Sequence, residues 1–385
     1  MTVKLSEKAK LIIDSLRTAG FEAFAVGGVV RDSLMGRSAD DFDITTSAKP
    51  EETKKVFSAF PVVETGIKHG TVTVVLDGTP FEVTTYRSEC SYSDSRHPDS
   101  VSFVTDIKED LARRDFTMNA IAYSHYDGII DPFNGADDIQ NKIIRTVSDP
   151  NQRFTEDALR ILRALRFSSV LGFEIEENTR QAIFSLAENL KFVSGERIYA
   201  EMKKLICGMN AQNVINEYIE VFKAILPISG DYRSIFKLPN DIAMRFYCLF
   251  GESYKDALRV MRSDNKVREV CNILSASKPI PNDEIEIEFY ISSLGRDNAE
   301  TIISYRKAMF DEGANGKATA TLNGNSPLFL SELAINGRDL NNLGVKGKDI
   351  GEALDILLAS VLKGEVENEK NALLEFFNSK RFELR

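Results

Sequence analysis

Apolar residues recur at helical spacing over residues 7–18, between Ser6, a natural helix cap, and Gly20, which stops the run. A strand-like stretch over 21–26 follows. Gly27-Gly28 then breaks the strand and opens a short helix ending near Gly36, after which Phe42-Asp43-Ile44-Thr45-Thr46 has the β-branched content of another strand. Residues 71–76 and 81–87 alternate apolar and polar positions on either side of Asp77-Gly78, which predicts a β-hairpin with one buried face. Apolar content collapses over 88–102, a Ser- and Asp-rich stretch carrying His97-Pro98, and this segment reads as a mobile loop. Loops of this length are uncommon unless functional. From Asp149 the apolar period becomes helical almost to the end, as in 158–167, 179–190 and 197–206, with turn formers clustered at 227–230, 278–281 and 311–316. The pattern predicts a mixed α/β region over residues 1–147 and an all-helical region after it, with no internal repeat.

At 385 residues, 43% hydrophobic and 28% charged, the chain suits a soluble protein of several packed units and is too polar for a membrane protein. Its first residues enter a charged amphipathic segment without the apolar core of a signal peptide, so the expected location is the cytoplasm. Cys90, Cys207, Cys248 and Cys271 are far apart and suggest free thiols, not a zinc knuckle or a disulfide framework. The formal net charge of −10 argues against a polyanion partner, but Arg153, Arg160, Arg163 and Arg166 collect in one short helical stretch that offers a local basic patch.

Asp41 and Asp43, two apart at the start of a strand, project from the same face. Like charges repel unless a cation neutralises them, and two convergent carboxylates suit one or two Mg²⁺ ions. A solvated strand end is the plain alternative. Just upstream, Gly27-Gly28 opens a helix whose first N–H groups favour phosphate, and Arg31 adds a fixed cation. A phosphate cradle beside a metal-binding carboxylate pair is what nucleotidyl transfer requires. Glu82, on the side of its strand opposite Phe81 and Val83, is a candidate third carboxylate, the alternative being a surface glutamate.

Five ordered segments carry a resemblance. They are Gly27-Gly28 with Arg31-Asp32, then Asp41-Phe42-Asp43, Arg113-Arg114-Asp115 continuing to Asn119, Glu156-Asp157 with Arg160 and Arg163, and Glu196 through Lys204. Together they resemble the motifs of class II CCA-adding enzymes, the tRNA nucleotidyltransferases related to bacterial poly(A) polymerases. The resemblance is dense over residues 6–208 and looser in the tail. It implies a polymerase-β-like α/β head with a mixed sheet at 1–147, a helical neck with a nucleotide-selecting helix at 148–208, a helical body at 209–310 and a tRNA-binding helical tail at 311–385. It further implies that Asp41 and Asp43 hold magnesium and that Gly27, Gly28, Arg31 and Asp32 meet the triphosphate. Arg113, Arg114, Asp115 and Asn119 would position ribose and phosphates, roles that suit a bidentate guanidinium fork and the acceptors and donors of Asp and Asn.

Asp157 and Arg160, three apart on a helix, would face one side and form a two-point reader. Cytosine and adenine both present an amine donor beside a ring-nitrogen acceptor, whereas uracil and guanine reverse that order. A carboxylate beside a guanidinium would therefore admit CTP and ATP, at a cost of about 1–3 kcal/mol for each group left unsatisfied by UTP or GTP. The plain alternative is a salt bridge between Asp157 and Arg160 themselves. Thr155 is the expected cap of this helix, and Glu156 the residue that orients Arg160. Phe24, Phe103 and Phe154 are candidate stacking surfaces, more often core than not, and no chemistry falls to His69, His97 or His125.

The function expected is template-independent addition of C, C and A to the tRNA 3′ end from CTP and ATP by two-metal in-line transfer. The alternatives within the family are an A-adding enzyme, a CC-adding enzyme, to which the full-length 89–101 segment runs counter, and a poly(A) polymerase, to which the absence of a basic C-terminal extension runs counter. From other classes, an inactive RNA-binding scaffold or a small-molecule nucleotidyltransferase would share only part of these features.

Overall fold

The computed structural model describes residues 3–38, 42–64, 66–90, 100–310 and 313–380. Asp41 and His97 lie outside them. Helix α1 (Glu7–Thr18) starts where Ser6 accepts a hydrogen bond from the Ala9 N–H, and it buries Ala9, Ile12, Ile13 and Leu16. The head continues through β1 (Ala23–Val26), α2 (Gly28–Leu34), β2 (Asp43–Thr46), α3 (Pro50–Val56), β3 (Val62–Val63), β4 (Thr71–Leu76) and β5 (Thr79–Thr85). It is completed by β6 (Arg87–Cys90), β7 (Ser100–Phe103), α4 (Ile107–Ala112), β8 (Ala122–Ser124), β9 (Gly128–Ile130), α5 (Gly135–Asn141) and β10 (Ile143–Ile144).

Seven strands form one mixed sheet in the order β3-β4-β5-β2-β1-β8-β9. Only β2 and β5 run parallel; the other pairs are antiparallel. The expected hairpin is β4–β5, joined by Asp77 and Gly78, both with positive φ, as a two-residue turn of right-handed strands needs. Its second strand begins at Thr79, two residues before the expected start. Phe24, Val26, Tyr86, Ile107, Leu111 and Val147 build a core between the sheet and α4.

The stretch 88–102 departs from a plain loop: β6 and β7 pair antiparallel from Arg87↔Phe103 to Cys90↔Ser100, and residues 91–99 lie outside the described part. Arg87-Ser88-Glu89-Cys90 carries no apolar alternation to read, and the alternation of Ser100-Val101-Ser102-Phe103 is too short to stand out beside it.

The first compact unit extends through Pro227 and takes in 259–262. Beyond the head it contains α6 (Pro150–Glu156), α7 (Leu159–Leu171), β11 (Glu174–Ile175), α8 (Glu177–Ser185), α9 (Gly195–Ile206), α10 (Ala211–Glu217) and α11 (Ile219–Lys223). The all-helical expectation thus misses one short strand, β11, which pairs parallel with β10.

The rest of the chain forms a second unit, from α12 (Ile242–Phe250) and α13 (Tyr254–Val260) through α14 (Asn265–Ala276), α15 (Glu284–Leu294) and α16 (Arg296–Met309). It ends in α17 (Gly313–Leu322), α18 (Gly337–Asn342), α19 (Asp349–Leu362) and α20 (Lys370–Lys380). The turn formers at 278–281 do separate α14 from α15, whereas Gly313 and Gly316 are taken into α17, so the break expected over 311–316 is shorter. Cys207, Cys248 and Cys271 are free thiols.

Candidate active site

The site begins where β1 ends. Gly27, between β1 and α2, has φ +72°, and a Cβ there would lie 3.3 Å from the Arg114 Nη1 and 3.7 Å from the Asp43 Oδ2. The positive φ favours glycine, and a side chain would have to push the Arg114 guanidinium back by a few tenths of an ångström. Asp43 opens β2 directly beside Val26 of β1 and, on the other side, beside Glu82 of β5. In a parallel pair such partners share one face, so the two carboxylates are neighbours. Asp43 and Glu82 are exposed while Phe81 and Val83 are buried, as the alternation indicated. Phe42 packs against Phe81, ring centroids 6.1 Å apart. Two hard oxygen donors at an open strand end fit a divalent magnesium ion completed by water. Among the described residues no three candidate ligands converge, and Asp41, the third carboxylate in the sequence, lies outside them.

Five arginines form a connected network that reaches this strand end through Arg31 and Arg114. Arg113 and Arg114 follow α4, and both reach back to Asp110 on it, Arg113 at 2.9 Å and Arg114 at 3.6 Å. Burial by itself would raise the Asp110 carboxyl, but the two guanidiniums outweigh it and hold the group below the usual carboxylate range. Arg114 is largely buried, which lowers its pKa, and its Nε has no hydrogen-bond partner, while its Nη1 lies close to Gly27. Arg31, on α2, grips Asp32 through Nε (2.9 Å) and Nη2 (3.0 Å) and donates from Nη1 to the Asn119 Oδ1 at 2.8 Å. The Asn119 amide donates in turn to Asp115 (3.0 Å), whose other oxygen receives Arg163 at 2.6 and 2.8 Å. Asp115 is nearly buried, which alone would raise its pKa, yet Arg163 and the Asn119 bond bring it down to about 2. Arg163 and Arg166 both face Glu201 of α9, and with Arg31 they surround the Phe167 ring at 5.6, 3.9 and 5.1 Å. The candidate residues of the head are thereby tied to the neck through Asp115 and Arg163.

The expected geometry at Asp157 and Arg160 needs correcting. Helix α6 ends at Glu156, and Asp157 is extended (φ −144°, ψ 102°), so the pair is not on one continuous helix. Asp157 instead stands just before α7, whose N-cap is Ala158: its Oδ1 accepts from the Leu159 N–H at 3.1 Å, and its Oδ2 receives Arg197 of α9 at 2.8 Å. Thr155 is no cap; it lies inside α6 with its hydroxyl bonded to the Asn151 carbonyl, and Asp149 does the capping. Arg160, only 8% exposed, bonds Glu156 at 2.8 Å and the carbonyls of Arg153 and Arg113 at 3.1 and 3.0 Å. The ion pair on Arg160 is therefore with Glu156, not Asp157. Ser88, Glu109, Ala112, Arg113, Gln152, Arg153 and Glu156 line a cleft of about 270 Å³ against this joint. Arg153, Arg160, Arg163 and Arg166 all face carboxylates, so the run is a paired internal network and not an open basic stripe.

Phe24 and Phe154 are buried and unavailable for stacking; Phe103 is 43% exposed. His125 pairs with Asp14 away from the site residues, and His69 sits in a short turn before β4. Arg197 and Glu201, which lie in the Glu196–Lys204 segment with no role of their own assigned from the sequence, belong to the same network, as does Asp110, which lies in none of the five segments. The signal available for Asp110 was its spacing, three and four residues before Arg113 and Arg114 on one helical face.

The chain matches three family models in order: the poly A polymerase head domain over residues 23–145, an RNA- and SrmB-binding-site model of polymerase A over 172–228, and tRNA nucleotidyltransferase domain 2 over 240–377. It is 38% identical to a CCA-adding enzyme of Geobacillus stearothermophilus, with 95% of each chain covered, and 36% identical to one of Ligilactobacillus salivarius, covering 96% of this chain and 95% of the other. The chain belongs to the CCA-adding enzyme family. A solved Bacillus stearothermophilus CCA-adding enzyme in complex with CTP is 34% identical and superposes with a TM-score of 0.78 over 97% of each chain. The Thermotoga maritima CCA-adding enzyme complexed with tRNA, 23% identical with a TM-score of 0.72, shares the fold. CCA-adding enzymes are tRNA nucleotidyltransferases, and the polymerase-β-like head followed by helices is the architecture seen here.

Proposed function

We propose that the chain adds C, C and A to the 3′ end of tRNA from CTP and ATP without a template, in the cytoplasm, with the strand end at Asp43 as its catalytic centre. No helix among the described residues is long and apolar enough to cross a membrane. The observation that carries the reading is the pairing of Asp43 with Glu82 across parallel strands, with Gly27 close to both the Asp43 carboxylate and the Arg114 guanidinium. Asp41 and Asp43 are assigned to Mg²⁺, and Glu82 stands beside Asp43. Magnesium held there would make the primer 3′-hydroxyl a better nucleophile and neutralise the departing pyrophosphate. Side-chain-free Gly27 and Gly28 admit the triphosphate to the backbone, and Arg31, Arg113 and Arg114 balance its charge. Asp32 fixes Arg31; Asn119 and Asp115 are placed for the ribose.

Base selection is assigned to the joint between α6 and α7. Asp157 and Arg160 arrive there already held by Arg197, Glu156 and two carbonyls, so their remaining acceptor and donor positions are oriented before the nucleotide enters. Arg163 secures Asp115 and is a support for the ribose side. The deciding experiment offers tRNA ending before CCA, after one C and after CC, with CTP and ATP. Products completed to CCA from all three are expected. Addition of A alone, or arrest after CC, overturns the proposal.

A further inference from the structure

Asp110 is completely buried, yet it belongs to none of the ordered motifs. Its Oδ1 receives Arg113 from Nε and Nη2, both at 2.9 Å, and the backbone N–H of Arg87 at 3.3 Å. Its Oδ2 receives the Thr45 hydroxyl at 3.1 Å, a donor shared with the Thr84 carbonyl at 3.2 Å, and faces the Arg114 Nη2 at 3.6 Å. Thr45 is two residues beyond Asp43 on the same face of β2, and Arg87 begins the β6–β7 ladder. One carboxylate thus joins the metal-side strand, the root of the ladder and both arginines of the Arg113-Arg114-Asp115 motif. Arg114 lies between two carboxylates, Asp110 on α4 and Asp43 on β2.

We propose that Asp110 is a positioning residue of nucleotidyl transfer: its buried negative charge holds Arg113 and Arg114 in the register that meets the triphosphate and keeps Arg114 from collapsing onto Asp43. The inference rests on the reading of Arg113 and Arg114 as triphosphate ligands. Among the described residues Asp43 attracts Arg114 next most strongly after Asp110, so with the Asp110 charge removed a closer Arg114–Asp43 pair would form and compete with any cation bound to that carboxylate. Asp110 reaches no substrate itself, so its effect falls on nucleotide and cation binding more than on the chemical step.

The test compares D110N with R113A and T45V in the full chain, measuring CTP affinity by calorimetry with Mg²⁺, KM and kcat for CTP, and Tm. D110N keeps the shape and removes the charge; it should weaken CTP about tenfold or more, while kcat at saturating CTP and Mg²⁺ falls far less. The Mg²⁺ concentration giving half-maximal CTP binding should rise with it. T45V removes one donor to the carboxylate and should weaken CTP about threefold, in a variant that keeps the charge and the fold. If D110N fails to fold, T45V decides: an unchanged CTP affinity in it overturns the proposal. A lowered Tm with parental CTP affinity in D110N makes Asp110 purely structural and also overturns it. If R113A binds CTP like the parent, the underlying reading of the arginines fails; if R113A weakens binding and D110N does not, the inference about Asp110 alone fails.

Discussion

The region where α4, α7 and α9 meet and the core of the second unit are held together by different means. Around Phe167 the contacts run through Arg31, Asp115, Arg163, Arg166 and Glu201, charged groups paired at low exposure. The second unit packs Ile287, Ile291, Leu340, Leu357 and Leu373 into an aliphatic cluster. Apolar packing is non-directional and tolerates exchange of one aliphatic for another, whereas a buried charge needs a partner at a set distance and angle. Precision is thus concentrated where a substrate must be aligned, and bulk cohesion where a scaffold suffices.

The contrast can be broken or sharpened by four measurements. The largest effect is expected from Asp43→Ala, an exposed residue whose loss should lower nucleotide incorporation about a thousandfold or more while Tm and tRNA binding stay near parental. Turnover within about tenfold of the parent would remove Asp43 from the centre. In the aliphatic region, Leu357→Ala, at a residue 1% exposed, should cost about 2–5 kcal/mol in chemical denaturation and leave the CTP KM of the folded fraction unchanged. A shifted KM there would mean that the two regions do not divide labour as described.

Smaller and more specific, Asp157→Ala and Arg160→Ala should each erode selection of CTP over UTP by about 1–3 kcal/mol in relative kcat/KM. Parental selectivity in both would place the reader elsewhere.

The smallest effect separates the regions by pH. Asp115 is depressed to about 2 when folded, below the ~3.9 of an unfolded aspartate, so its stabilisation is complete above about pH 4 and is lost as pH falls toward 2. The stability gap between the parent and Asp115→Asn should therefore narrow over that window, while the gap to Leu357→Ala stays constant. A constant gap for Asp115→Asn would contradict the charge account.

The sequence exposed the head more readily than the joints. The Asp77-Gly78 turn, the Gly27-Gly28 break and the alternation that exposes Glu82 are local signals, and each stands where it was read. The interruption between α6 and α7 was hidden because no proline or glycine marks it: Asp157 turns extended through its bond from the Leu159 N–H and its pairing with Arg197, forty residues away. Asp110 was hidden for the same reason, since its partners come from β2 and β6 as well as its own helix. The aliphatic helices of the second unit were legible as helices, and their period carries no chemistry.

The parallel pairing of β2 with β5 has a bearing on how the protein is made. Parallel neighbours cannot be joined by a tight turn, so Asp43 has no partner on that side until α3, β3 and the β4–β5 hairpin have emerged and β5 pairs beside β2. Further elements must follow before α4 brings Arg114 against Gly27. On the ribosome the catalytic edge is consequently among the later parts of the head to mature, and a nascent chain stalled before β5 carries Asp43 without the strand that supplies Glu82.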